Sequence, residues 1–297
     1  MSAPKTLQIF LPQGSPSGIR IAELTTRIVQ AVACPRTELE ALSRRAEIGH
    51  IATYFLFGGT DEDSKPETYI GQTEDIIARL RAHDAKKEFW HTVVFLISRT
   101  HSFTQAHIRW LEWKGIAMAT GARRYKLTNG NSGGEPFVTE TIRADLDEIF
   151  DTGSILLEAL GYPVFRPLVE KRAMDSPGFD RDEWILTGIE ASARGSYSPD
   201  GFVVREGSTC RIKLTNAARG GFIEATRERL LSERILAEVN GRYVFTEDYL
   251  FKTPSGAATV VLGRNANGWT EWKNKDGVVI DQIRKKAAEI TVHRGEG

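Results

Sequence analysis

The sequence predicts an α+β fold in two domains: a small antiparallel sheet flanked by helices, and a second α+β domain after it. Its 297 residues are more than one small core requires. Between residues 48 and 165, strand-like and helix-like segments follow one another in the order β-loop-β-α-β-α, which is typical of a small sheet covered by helices. From about Trp184 the chain changes to short strand-like runs around one helical segment, which indicates an independent second domain.

Composition indicates an ordinary folded protein. Hydrophobic residues make up 41% and charged residues 26%, which argues against wholesale disorder. Lys and Arg number 39, as do Asp and Glu, so the net charge gives no sign of a nucleic-acid binder, although a local basic face is compatible with it. Cys34 and Cys210 belong to no metal-ligand motif, and two buried thiols in a reducing compartment are favoured over one disulfide.

The sequence shows no membrane or export signal. Residues 1–14 lack a basic start, a long apolar run and a cleavage site. No apolar stretch is long enough to span a bilayer. We therefore expect a cytoplasmic protein with no membrane partner.

Residues 1–47 are expected to form an N-terminal extension made of two strands and a helix. The first strand is a short apolar run over residues 6–11, and a half-exposed strand is expected over residues 19–32. Leu39 and Leu42 then share one face of a helix.

The first domain itself is expected over residues 48–165, with a linker over residues 166–186 and the second domain over residues 187–297. Hydrophobic periodicity and turn residues predict its elements. In chain order these are strand 51–57, strand 68–71, helix 74–83, strand 92–98, helix 104–119 and helix 139–160, followed in the second domain by a helix over residues 221–238 between short strands.

The segment between residues 54 and 112 contains the side chains that phosphodiester hydrolysis requires. Arg79 and His83 lie four residues apart and therefore on one helix face. Arginine matches the geometry of a phosphate, and histidine exchanges a proton near neutral pH. Glu112, on the next helix, is an oxygen ligand suited to Mg²⁺. Tyr54 and Tyr69 lie on two strands that can pair with each other.

These residues resemble the GIY-YIG nucleases over roughly residues 48–132. Tyr69-Ile70-Gly71 is an intact YIG element, and the run to His83 resembles the core of the family. Ala52-Thr53-Tyr54 occupies the place of the GIY element, with the Gly and Ile replaced. Residues 107–119 resemble the family helix that carries the metal-binding glutamate, which places that role on Glu112.

The resemblance implies a single-metal hydrolysis of DNA. Tyr54 would be the general base, and Arg79 would stabilise the phosphoryl charge. Glu112 would hold one Mg²⁺ or Mn²⁺ ion, while Tyr69 and His83 would orient or activate the base. The family also has a downstream asparagine, for which Asn129 or Asn131 is the candidate.

The resemblance further implies an endonuclease, in restriction or in defence against foreign DNA. Single-stranded and double-stranded DNA both stay open as substrates. One site cuts one strand, so cleavage of both strands would need a homodimer or two sequential nicks.

Each of the five residues has an ordinary structural interpretation when taken alone. Tyr54 and Tyr69 could be packed aromatics, His83 structural and Glu112 a surface carboxylate; the combined spacing favours a site. A catalytically inactive nucleic-acid-binding module is the alternative function, suggested by the replaced Ala52 and Thr53. A structural interaction protein is a third.

A basic rim is expected beside this constellation, where it could follow a phosphate backbone. Ordinary solubilising charge explains the same residues equally well. The candidate nucleic-acid contacts are Lys86, Lys87, Trp90, Arg123, Arg124 and Asn129.

The second domain resembles a known type of domain, but its residues indicate no catalytic or metal site. Residues 190–285 resemble a domain of unknown function that is often found C-terminal to such nucleases. Trp269 and Trp272 could stack on bases, but packing in a core or turn is favoured. The residues show no paired carboxylates and no ligand cluster, so nucleic-acid or partner binding there is expected from the domain partnership alone.

Overall fold

The computed structural model describes residues 4–59, 65–130, 133–168 and 183–285. The chain divides into two compact units, Met1–Pro167 and Leu168–Gly297, and each contains a β-sheet with helices. The predicted arrangement of two α+β domains is therefore confirmed. Most of the linker predicted over residues 166–186 lies outside the described residues.

In its described residues, the first unit contains seven strands and four α-helices. The strands are β1 (Leu7–Phe10), β2 (Arg20–Leu24), β3 (Val29–Pro35), β4 (Ala52–Gly58), β5 (Glu67–Thr73), β6 (Trp90–Ser98) and β7 (Lys126–Leu127), and the helices are α1 (Leu39–Leu42), α2 (Ile76–Asp84), α3 (Gln105–Ala122) and α4 (Glu140–Ala159).

Its sheet is larger than the sequence predicts, and it is not wholly antiparallel. The strand order is β1-β2-β3-β6-β4-β5-β7, and the short β5–β7 pair is parallel. The sheet reaches seven strands because the N-terminal segment joins it: β3 pairs with β6 from Val29↔Ser98 to Pro35↔Thr92. The single strand predicted over residues 19–32 is wrong. The chain turns there between β2 and β3, and the mixed apolar and polar pattern conceals the turn.

The alternation of β4 divides the core into two layers, because successive side chains of a strand point to opposite faces. Phe55 and Phe57 pack in the cluster that α3 and α4 cover. Tyr54 and Leu56 pack on the other face, against residues of α2 such as Leu80. Helices α2 and α3 therefore lie on opposite faces of the sheet.

The second unit is an antiparallel sheet with helices. Its strands are β8 (Trp184–Gly188), β9 (Ala191–Ser198), β10 (Gly201–Val204), β11 (Thr209–Cys210), β12 (Leu236–Val239), β13 (Arg242–Phe245) and β14 (Tyr249–Phe251), and its helices are α5 (Phe222–Ser232), α6 (Pro254–Leu262) and α7 (Gly268–Glu271). The order is β12-β13-β11-β9-β10-β14, with β8 on the other side of β9.

Two expectations for this unit have clear outcomes. The helix predicted over residues 221–238 is too long, because Arg234 adopts a left-handed φ of 59° and the chain continues as β12. Trp272 is fully buried and donates from Nε1 to the carbonyl oxygen of Pro254 at 2.9 Å, so core packing is its role.

Cys34 and Cys210 are free, buried thiols, as predicted. In the described ranges, no helix combines the length and apolar character that crossing a membrane would require.

Candidate functional site

Tyr54 lies at the centre of the candidate site, with its side chain fully buried on β4. Its hydroxyl oxygen accepts a hydrogen bond from Nε of Arg79 at 2.9 Å. The same hydroxyl lies 2.7 Å from Nε2 of His83. A phenol is thus held between a guanidinium and an imidazole.

The pairing of β4 with β5 brings the two tyrosines together. Tyr54 pairs with Gly71 and Leu56 pairs with Tyr69, so the tyrosines are diagonal neighbours on one face. Their ring centroids are 6.1 Å apart. A Cβ atom on Gly71 would lie 2.5 Å from both Cζ and the hydroxyl oxygen of Tyr54, so the phenol fits only over a glycine.

Helix α2 supplies Arg79 and His83 from successive turns of one face. The ring centroid of His83 lies 5.6 Å from that of Tyr54 and 5.1 Å from that of Tyr69. The side chain of Asp75 caps this helix by accepting from the backbone nitrogen of Ala78 at 2.9 Å. The structure therefore brings four of the five predicted residues into one cluster.

Burial and positive charge keep His83 neutral. Burial, followed by the charges of Arg79, Lys87 and Lys86, lowers the pKa of His83 to about 4. Burial also raises the pKa of Tyr54 above its usual value, against the opposing hydrogen bond from Arg79. In the free chain at neutral pH the pair is consequently a phenol and a neutral imidazole able to accept its proton.

Glu112 interacts with the cluster electrostatically, through the charge of Arg79. It is half-buried on α3, which covers the opposite face of the sheet. Burial raises the pKa of its carboxyl, while the charges of Arg79 and Arg109 lower it. Within the part of the chain that the structure describes, Glu112 makes no hydrogen bond to Tyr54 or His83.

The side chains at the site are suited to only one kind of metal binding. Among the described residues there is no group of three or more His, Cys, Asp and Glu side chains that could hold a metal ion. Glu112 could therefore contribute a single carboxylate. That suits Mg²⁺ or Mn²⁺ bound mainly by water and substrate oxygens, and it does not suit a cage of protein ligands.

Two predicted rim contacts are wrong. The side chain of Trp90 is 1% exposed and packs under Arg36, whose Cζ lies 4.9 Å from the ring centroid. Arg124 is 7% exposed and donates from Nε to the carbonyl oxygen of Arg166 at 2.9 Å. Neither can contact a nucleic acid, because tertiary packing covers both, and sequence position alone does not show this.

Asn129 has a structural role that the sequence did not suggest. It donates from Nδ2 to the carbonyl oxygen of Ile70 at 2.7 Å and accepts from the backbone nitrogen of Ile70 at 3.0 Å. It thereby continues the β5–β7 pairing beside Tyr69, and both ends of its amide are occupied. The other candidate asparagine, Asn131, lies outside the described residues.

The remaining rim residues differ in their distance from the site. Nζ of Lys87 lies 4.1 Å from the centroid of the Tyr69 ring, which makes Lys87 a member of the cluster. Lys86 is exposed, and its charge acts on His83. Arg123 is exposed at the end of α3, in a left-handed conformation with φ of 52°.

Arg36, which no sequence pattern indicated, connects the end of α2 to the start of β6. Nη1 of Arg36 donates to the carbonyl oxygens of Lys87 and Trp90, each at 3.2 Å. Its Nε pairs with a carboxylate oxygen of Asp84 at 2.5 Å. Arg36 is 51 residues before Lys87, so no local pattern could have indicated this role.

His83 gives a prediction for stability as a function of pH. Its pKa is lower in the folded chain (about 4) than in an unfolded one (~6.5). The unfolded chain therefore binds a proton first as the pH falls, and stability is lost between about pH 6.5 and pH 4. We expect this residue to account for a loss of up to roughly 3 kcal/mol in the free energy of unfolding.

Urea unfolding of the wild type and His83→Gln between pH 4 and pH 8 measures this loss. The difference between the two free energies should change across the window, whereas His91→Gln, which removes an exposed ring, should follow the wild type. Parallel curves for wild type and His83→Gln would contradict the prediction.

Comparison with known proteins bears on the second unit. A family model described as a domain of unknown function, DUF4357, matches residues 185–284, about a third of the chain. This confirms the predicted likeness of residues 190–285 to a domain of unknown function. No curated protein and no solved structure matches the chain. No match to the GIY-YIG family was found, so the likeness of residues 48–132 to that family stays a prediction from its motifs.

Proposed function

We propose that the chain is a metal-dependent endonuclease that hydrolyses phosphodiester bonds in DNA. The observation that carries the proposal is the Tyr54 hydroxyl held between Nε of Arg79 and Nε2 of His83. A phenol held beside a neutral proton acceptor and a fixed cation can pass its proton to the acceptor, and the cation then stabilises the phenolate that acts as the base.

The proton would pass along the two short contacts. Arg79 donates to the Tyr54 oxygen, so the hydroxyl can donate its own hydrogen to Nε2 of His83. Once that proton has moved, the Tyr54 oxygen carries a negative charge next to the Arg79 guanidinium. It can then take a proton from a water molecule that attacks phosphorus.

Arg79 would connect the base to the substrate. Its hydrogen bond to Tyr54 uses Nε, and the side chain is exposed. The two Nη groups are suited to the oxygens of a phosphate, where negative charge increases in the transition state. Lys86 and Lys87 add positive charge beside this position, which favours a polyanionic substrate.

Glu112 would hold the metal ion. When bound, Mg²⁺ or Mn²⁺ would supply polarisation of the phosphate and stabilisation of the leaving oxygen. The carboxyl is half-buried, and the charges of Arg79 and Arg109 oppose the rise in its pKa that burial causes. Although α3 covers the opposite face of the sheet, the carboxyl of Glu112 interacts with Arg79, which also bonds Tyr54, so one phosphate at Arg79 could be reached by both the base and the metal ion.

The resting chain is not yet an active base. The usual pKa of tyrosine is ~10 and that of His83 is about 4, so transfer between them is uphill by at least ~6 units, or roughly 8 kcal/mol. Substrate and metal must supply the difference. This gap is also the observation that favours the second candidate function, a nucleic-acid-binding module that does not cleave.

Cleavage of plasmid and single-stranded DNA with Mg²⁺ or Mn²⁺ tests the proposal. The wild type should nick at least one substrate, and Glu112→Gln should reduce the rate about 100-fold or more because one metal ligand is lost. Asp151→Asn, which neutralises an exposed carboxylate on α4, should behave as the wild type. Equal rates for Glu112→Gln and wild type would refute the role of Glu112.

DNA binding without nicking separates the two functions. If the wild type binds DNA at low salt and cleaves with neither metal, the module without turnover is correct. Absence of both binding and cleavage would leave neither function and favour a structural interaction protein.

A further inference from the structure

The second unit contains an open cavity of about 430 Å³ between helix α5 and the chain that follows β11. That volume lies within the range of small-molecule sites, ~300–1,000 Å³. Three cationic side chains line it, Lys213, Arg219 and Arg227. The ring of Tyr243 forms another part of the wall.

Arg227 forms the buried part of this wall, with 3% of its surface exposed. Its Nε donates to the carbonyl oxygen of Val260 at 2.9 Å, and Nη2 donates to those of Val260 and Val261. Nη1 donates to the carbonyl oxygen of Ile212 at 3.2 Å. Because each Nη carries two hydrogens, one N–H of Nη1 remains for a further acceptor.

The charge of Arg227 is only partly balanced inside the fold. Across the residues that the structure describes, no carboxylate forms an ion pair with it. Burial raises the pKa of the neighbouring Cys210 thiol to about 12, so this thiol is uncharged. The carbonyl end of α6 provides about half a negative charge. A buried cation with incomplete compensation is costly, and an anion in the cavity would offset that cost.

The rim of the cavity carries charge of both signs. Lys213 and Arg219 are exposed, and neither forms an ion pair within the described part of the chain. Two carboxylates from α5, Glu224 and Glu228, line the cavity as well. They disfavour a ligand that is anionic throughout, and they suit one that carries an amino group away from its anionic end.

We propose that this cavity binds a phosphate-bearing ligand of mononucleotide size. The phosphate would lie against Arg227, Lys213 and Arg219, and a planar base would stack on Tyr243, whose ring centroid is 5.8 Å from Cζ of Arg227. The ligand can be a free nucleotide or the terminal nucleotide of a strand, since both present the same groups. The inference is independent of the nuclease proposal.

Calorimetric titration of the full chain tests the site. The probes are the four nucleoside 5′-monophosphates, the corresponding nucleosides, inorganic phosphate and a 5′-phosphorylated dinucleotide. At least one monophosphate should bind, and its nucleoside should bind at least tenfold more weakly. Tighter binding of the dinucleotide assigns the ligand to a strand end, and tighter binding of the monophosphate assigns it to a free nucleotide.

Variants locate the binding within the second unit. Lys213→Ala with Arg219→Ala should weaken binding at least tenfold, while Lys252→Ala with Lys275→Ala, which removes two exposed lysines elsewhere, should not. Tyr243→Phe should retain affinity and Tyr243→Ala should reduce it several-fold. Arg227 is kept intact, because its bonds hold the end of α6.

Three results would overturn the proposal. One is that no phosphate-bearing probe binds the wild type at about 1 mM. Another is equal affinity for a nucleoside and its monophosphate. The third is unchanged affinity in the Lys213→Ala, Arg219→Ala variant.

Discussion

Replacing Arg79 by alanine is expected to lower the cleavage rate about 10³-fold. The substitution removes the hydrogen bond to the Tyr54 oxygen and the Nη groups that would neutralise the phosphate. Arg79→Lys should restore little, because one ammonium cannot reproduce a fork that contacts phenol and phosphate together. Single-turnover cleavage of a labelled DNA measures both effects.

Arg81 provides a matched control for this experiment. It is an exposed arginine on the same helix, about 200° around the axis from Arg79. Arg81→Ala should retain wild-type cleavage. Equal rates for Arg79→Ala and Arg81→Ala would exclude Arg79 from the chemistry.

Arg79→Ala has a second readout that does not require cleavage. Among the charges that lower the pKa of His83, that of Arg79 is the largest. Its removal should therefore raise the pKa of His83, as measured by NMR titration of the ring. A chain that only binds nucleic acid would show this change in pKa as well. The pKa of His83 therefore tests its charge interaction with Arg79, and the cleavage rate tests the role of Arg79 in catalysis.

The sequence predicted local elements well where one pattern determines each of them. The strand expected over residues 51–57 is Ala52–Gly58, and the helix expected over residues 104–119 is Gln105–Ala122. The first is a nearly continuous apolar run that ends at a glycine, and the second has apolar residues at helical spacing. The β2–β3 turn was missed because a hairpin of half-buried strands gives the same mixed pattern as one longer strand.

Proximity within the candidate site was predictable only in part. Arg79 and His83 share a face because a helix repeats at known spacing, and Tyr54 with Tyr69 required only that two strands pair. Burial of Trp90 was not predictable, because it depends on Arg36, which is distant in sequence. The position of Glu112 across the sheet depends on the path of α3, which no motif specifies.

The positive charges of the cluster have two effects, one on His83 and one on the substrate. Lys86, Lys87 and Arg79 lower the pKa of His83, and the same charges attract a phosphate. A bound phosphate would cancel part of that charge and raise the pKa of His83 toward its usual value. Substrate binding would therefore strengthen His83 as an acceptor for the Tyr54 proton. The difference between the pKa values of Tyr54 and His83 would become smaller than in the free chain.

Gly71→Ala is the substitution with the largest expected effect on structure. The added Cβ would lie 2.5 Å from the Tyr54 hydroxyl oxygen, and that ring is buried and held by Arg79 and His83. The phenol must leave its two partners or the β4–β5 pair must separate. Either change should lower the free energy of unfolding by about 1–3 kcal/mol, measured in urea, and should abolish cleavage.

Gly121→Ala controls for the loss of a glycine as such. A Cβ at Gly121, near the end of α3, meets no atom within 4 Å, so alanine there should be neutral or stabilising by up to about 1 kcal/mol. Tyr54→Leu provides the complementary control because it removes the phenol that the new methyl group contacts. Gly71→Ala should then cost much less in the Tyr54→Leu background, and the difference between the two costs measures the contact directly. If Gly71→Ala costs the same in both backgrounds, the glycine serves the strand and not the phenol, and the fit between Tyr54 and Gly71 does not hold the site.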